Sequence, residues 1–88
     1  MSAGKLQLLY FAGLREKLGR GNEEVELPAG VADVAGLRGW LIARDGVWRE
    51  ALAGRSGLRV AVNQDMADES TPVKAGDQVA FFPPVTGG

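Results

Sequence analysis

The chain has 88 residues, 45% apolar and 24% charged, with ten Lys and Arg against eleven Asp and Glu for a net charge of −1. A chain of this length makes one domain with a single modest core. Its near-neutral balance lacks the positive field that binding to nucleic acid requires, so nucleic acid is excluded as a direct partner. Cysteine and histidine are both absent, which excludes a disulfide framework, a thiolate nucleophile, Ser/His and Cys/His dyads and the usual zinc ligands. No metal site is expected, and any internal catalysis has to rest on carboxylate, lysine or tyrosine.

The opening MSAGKLQL alternates at once where a signal peptide would carry an apolar run, and the longest early apolar stretch, Leu8 to Leu14, is broken by Gly13. That stretch is far short of the roughly 20 residues a bilayer needs. A cytoplasmic protein without membrane contact is the expectation.

KLQLLYF places Leu6, Leu8 and Tyr10 on one face of a first strand and Gln7, Leu9 and Phe11 on the other. AGLREKLGRGN follows, with Leu14 and Leu18 spaced for a short helix that Gly19 and Gly21 end. EEVEL reads as a second strand, Glu24 and Glu26 alternating with Val25 and Leu27 before Pro28 and Gly30 stop it. Asp33 is an N-cap candidate for a helix to about Arg44, with Val34, Leu37, Leu41 and Trp40 on its apolar stripe. Gly36 and Gly39 lie inside that helix, where each costs about 1 kcal/mol against alanine; close packing on a sheet would account for them.

Asp45 and Gly46 read as the helix stop, and VWREAL as a further turn or two bringing Trp48 and Leu52 to the core edge. LRVAVNQ is a strand with Leu58, Val60 and Val62 opposite Arg59 and Ala61, ending at the turn-prone Asn63, with a short hairpin partner around Met66. After the polar loop DESTPV and a turn at Gly76 and Asp77, QVAFF is the last strand, Val79 and Phe81 on one face and Ala80 and Phe82 on the other. A hairpin, a helix and a closing set of strands fold most economically as a mixed sheet wrapped on one main helix. The expected architecture is therefore α+β, a ubiquitin-like β-grasp with the first and last strands as parallel neighbours. Residues 1–83 form the domain and 84–88 an extended tail.

Two acidic groups, Glu23 with Glu24 and Glu26, and Asp65 with Asp68 and Glu69, read as solvated faces, because paired carboxylates do acid–base work only when burial raises one of them. GRG at 19–21 matches no phosphate-loop pattern and reads as a turn. Leu9, Phe11 and Phe82 point away from the core on neighbouring segments, and Pro83 and Pro84 extend the apolar strip. Such a strip is either a protein interface or a second small core under the REKLG turn.

The prolines cannot donate ladder hydrogen bonds, so they end the sheet and stiffen an arm. Fully extended, residues 84–88 reach roughly 16 Å. Gly87 and Gly88 have no Cβ, so their backbone passes a narrow channel and delivers a carboxylate. Joined to AMP as a mixed anhydride, that carboxylate becomes open to attack by sulfur, thiol or amine.

LLYFAGLREKLG at 8–19, VAVNQ at 60–64 and AGDQVAFFPPVTGG at 75–88 resemble the small subunits of molybdopterin synthase, a family of ubiquitin-like sulfur carriers. The resemblance implies that a ubiquitin-activating-like adenylyltransferase joins the Gly88 carboxylate to AMP and a sulfurtransferase system converts it to a thiocarboxylate. The tail, with Gly87 as its slim approach, then enters the large subunit and gives sulfur to cyclic pyranopterin monophosphate. It further implies that Phe11, Arg15, Phe82, Pro83, Pro84 and Val85 bind the partner, in a heterotetramer with two copies of each subunit. No cofactor would be bound; the glycyl adenylate and thiocarboxylate are covalent states of the chain, and catalytic side chains lie on the large subunit. The alternatives are a carrier serving thiazole, cysteine or tRNA thiolation, a ubiquitin-type modifier that forms isopeptides, and a passive binding module.

Overall fold

In the computed structural model, which describes residues 4–44, 46–52 and 58–83, the elements follow as strand β1 (Lys5–Tyr10), helix α1 (Ala12–Leu18), β2 (Asn22–Glu26), helices α2 (Val34–Ile42) and α3 (Gly46–Leu52), β3 (Arg59–Val62), β4 (Asp65–Ala67) and β5 (Gln78–Phe82). The strands form one sheet in the order β2-β1-β5-β3-β4. β1 and β5 run parallel at its centre, Tyr10 opposite Phe81, and the other neighbours are antiparallel. This is the expected β-grasp.

Alternation divides the sheet into two faces. Leu6, Leu8, Tyr10, Val60, Val62, Val79 and Phe81 are buried on the face that meets Leu14 of α1, Val34, Leu37 and Leu41 of α2, and Trp48 and Leu52 of α3. Asp33 caps α2 as expected, its Oδ1 accepting from the Gly36 N–H at 2.8 Å. Helix α2 ends at Ile42 rather than near Arg44, and Gly46 opens α3 rather than closing α2. Asp45, the other half of the expected stop, lies outside the described residues.

The expected sheet packing of Gly36 and Gly39 does not occur. A methyl on Gly36 would sit 3.3 Å from the capping oxygen of Asp33, and one on Gly39 would meet nothing within 4 Å. Gly36 therefore makes room for the cap, and Gly39 has no packing role.

Asn63 and Gln64 join β3 to β4 in left-handed backbone, φ 52° and 73°, the two-residue turn whose twist suits a hairpin. The Asn63 amide donates to Asp77 Oδ1 at 3.0 Å and its Oδ1 accepts from the Gln78 N–H at 3.0 Å, while Asp77 Oδ2 accepts from the Lys74 N–H at 2.9 Å. The buried Asp77 carboxylate is thereby satisfied, and the start of β5 is tied to the end of β3.

Candidate docking face and tail stem

The parallel pairing of β1 with β5 brings two successive aromatic pairs to one end of the sheet. Tyr10 and Phe81 stack on the core face with centroids 6.1 Å apart. One residue on, Phe11 and Phe82 stack on the other face at 4.9 Å with their planes within 6°. The Phe11 N–H donates to the Phe81 carbonyl at 3.2 Å, and Ala12 turns the chain out of β1 in left-handed backbone, φ 52°. Phe11 stays 41% exposed and Phe82 half-buried. They form an outer surface, and the buried leucine under the REKLG turn is Leu14, so the second small core does not include them.

Strand register extends this surface. Leu9 lies opposite Ala80, Ala80 opposite Ala61, and Ala61 opposite Met66, an apolar row across four strands of the open face. Met66 is 64% exposed. Sequence reasoning placed Met66 only as a hairpin partner; strand order, which no local pattern encodes, puts it in the row. The two alanines of the row are covered by their neighbours, so the apolar area open to solvent lies at Phe11 and Met66, with Leu9 and Phe82 half-buried between; exposed apolar groups gathered on one face mark protein interfaces.

Arg15 lies on α1 one turn beyond Phe11, and Arg59 on β3 is the register partner of Phe82; both are exposed. Pro83 follows β5 half-buried, at the same end of the sheet. Of the expected site residues, Phe11, Arg15, Phe82 and Pro83 are thus gathered at one end of the molecule. Pro84, Val85, Gly87 and Gly88 lie outside the described residues.

The inner pair is fastened by a polar network that corrects the solvated reading of Glu23. The Tyr10 hydroxyl donates to Glu23 Oε2 at 2.7 Å. Arg44 donates to both carboxylate oxygens at 2.8 and 3.2 Å, and Arg20 to Oε1 at 3.2 Å. The Arg44 guanidinium also lies 4.8 and 4.6 Å from the ring centroids of Trp40 and Trp48, and Trp48 meets Tyr10 edge-on at 5.5 Å. Glu23 is opposite Leu8 in the register, on the same face as Val25, which is why it turns inward while Glu24 and Glu26 remain in water.

Burial works to raise the Glu23 carboxyl, but hydrogen bonds from Arg44 and Tyr10 and the charges of Arg44 and Arg20 outweigh it and hold the group below the usual glutamate range. Burial, reinforced by the bond to Glu23, pushes the Tyr10 hydroxyl far above the ordinary phenol range. A carboxylate locked in its charged form beside a phenol locked in its neutral form is a structural latch, not an acid–base pair. Asp68, by contrast, is in water as expected, its carboxyl lowered by hydrogen bonds from Ser70 and Thr71 that shape the loop. Among the described residues no group of three or more acidic side chains could hold a metal ion, and no helix is long and apolar enough to cross a membrane.

A model of the ThiS family matches residues 8–88. The molybdopterin synthase sulfur carrier subunit of Escherichia coli K12 is 42% identical over 83 residues, which cover 94% of this chain and 99% of that protein. The corresponding subunit of Haemophilus influenzae is 39% identical over the same share of each chain. Among solved structures, a Pyrococcus furiosus protein assigned as molybdopterin converting factor subunit 1 superposes with a TM-score of 0.75 at 30% identity, covering 93% of this chain and 99% of that one.

Proposed function

The chain belongs to the ThiS family, and from that premise we propose that it is the sulfur carrier of a molybdopterin synthase. The β-grasp domain, residues 1–83, docks through Phe11, Arg15, Phe82 and the apolar row. Pro83, Pro84 and Val85 then launch residues 84–88 as an arm into the partner's active site. The observation that carries this reading is that the family likeness runs through the Pro-Pro arm to Gly87 and Gly88, the residues on which the chemistry depends.

In this cycle an ATP-dependent, ubiquitin-activating-like enzyme joins the Gly88 carboxylate to AMP with release of pyrophosphate. A sulfurtransferase then supplies the sulfur that displaces AMP and leaves a thiocarboxylate. In the large subunit that sulfur passes to cyclic pyranopterin monophosphate, two such transfers build the dithiolene, and the carboxylate returns for reactivation. The chain lends position and a leaving group; bond-making side chains belong to its partners. Use of cytoplasmic ATP and assembly as a heterotetramer follow from the same reading.

Intact-mass measurement of the protein taken from cells tests it. Exchange of one oxygen for sulfur at Gly88 is expected, and incubation of that species with the large subunit and cyclic pyranopterin monophosphate should form molybdopterin. Adducts to lysines of other proteins would instead identify a modifier, and sulfur loading without molybdopterin formation would identify a carrier for another pathway.

A further inference from the structure

The open face of the sheet has a direction in its charge. Arg15, Arg49, Arg59 and Lys74 make no ion pair with any described residue, whereas Lys5, Lys17, Arg20, Arg38 and Arg44 are each paired. Two of the unpaired cations flank the stacked phenylalanines. Arg59 stands opposite Phe82 on the β3 side. Arg15 lies toward β2, its Nε close enough to Gly21 that a methyl there would come within 3.0 Å. The exposed carboxylates of the same face, Glu24 and Glu26, stand opposite Gln7 and Lys5 near the start of β1, and Glu24 is already 3.8 Å from the Lys5 ammonium. At the far end Lys5 and Lys74 balance Glu24 and Glu26, whereas beside the phenylalanines Arg15 and Arg59 stand against the single exposed carboxylate of Glu16, so the tail end of the face carries the excess of positive charge.

A cation left unpaired beside an exposed apolar pair, where neighbouring cations have found partners, is complementary to carboxylates on an incoming surface. We infer that the surface receiving the tail carries carboxylates at the mouth of its channel, and that Arg59 is a specificity-determining contact with them. The inference rests on the carrier reading above. It adds the chemistry of the partner surface and a means of orientation: the excess positive charge beside the phenylalanines draws the arm end of the carrier toward the acidic mouth before the outer surface closes.

Stopped-flow association of the full chain with the molybdopterin synthase large subunit of the same organism, at low and high ionic strength, tests this. Arg59→Glu should slow association at least ~10-fold at low salt and remove most of its salt dependence, because reversing a peripheral charge acts chiefly on the encounter rate. Arg59→Lys should remain within about twofold of the parent, since charge rather than fork geometry governs steering. Lys74→Glu makes the same charge change at the opposite end of β5 and should also remain within about twofold. Equal effects of Arg59→Glu and Lys74→Glu, or an Arg59→Glu loss undiminished at high salt, would overturn the inference and leave the carrier reading standing. Absence of any binding by the parent chain would overturn the carrier reading and the inference with it.

Discussion

Tyr10 with Phe81 and Phe11 with Phe82 are successive residues on the same two segments, both pairs stacked, yet they differ in nearly everything that follows from burial. The inner pair is sealed in the core, abuts Trp48 and ends in a hydroxyl held by Glu23 and its two arginines. The outer pair has a closer, more parallel stack and no polar tether. Alternation along a strand separates two environments at a spacing of one residue: one side chain is sealed in the core, and the next leaves an aromatic surface open to solvent, the surface proposed above for docking.

Breaking each pair in turn gives the largest contrast. Phe81→Ala should cost about 3–5 kcal/mol, a major share of the stability of a domain this size, and denaturant titration would show it. Phe82→Ala should cost only about 1 kcal/mol of stability, the worth of one aromatic contact. Its effect should appear in calorimetry with the large subunit, as an affinity loss on the order of 30-fold or more. Equal stability losses in the two variants would erase the distinction between the pairs.

Acid sharpens the same contrast. The Glu23 carboxyl is depressed in the fold, so its stabilisation is fully present above its unfolded value of about 4.3 and is lost as pH falls through the lower native value. Glu23→Gln should be less stable by about 1 kcal/mol near neutrality. Chemical denaturation from about pH 5 to pH 3 should find this variant less acid-sensitive than the parent, with partner affinity at neutral pH unchanged. The smallest effect belongs to Gly39→Ala, where a methyl meets open space. It should raise stability by up to about 1 kcal/mol, seen as a higher midpoint in thermal unfolding, and leave docking as it was.

Much of this is legible in the sequence. Leu6, Leu8 and Tyr10 alternate cleanly, Asp33 stands where a cap belongs, and QVAFF followed by two prolines announces both a last strand and its end. Phe11 and Phe82 could be placed outward because each falls one residue out of phase with the core. What resisted reading depends on meetings across the chain. Glu23 looked solvated because the Arg44 that draws it in lies 21 residues away. Met66 and Arg59 joined the docking face only through a strand order that seats β3 beside β5. The glycines of α2 misled for a different reason: Gly36 answers to its own helix cap, and Gly39 to nothing nearby.

The central pairing of β1 with β5 closes about 70 residues of chain into one loop, and such distant contacts form late and at an entropic cost. The aromatic pair cannot assemble before that closure, since Phe11 and Phe82 reach each other only through it. Nor can that pair fray separately from the core, because the same backbone bonds hold Phe11 and Phe82 beside Tyr10 and Phe81. Amide exchange across these strands should accordingly require global unfolding. An incompletely folded copy then has no aromatic platform at all, so under the proposed docking mode only molecules that have finished folding would be loaded with sulfur and deliver it.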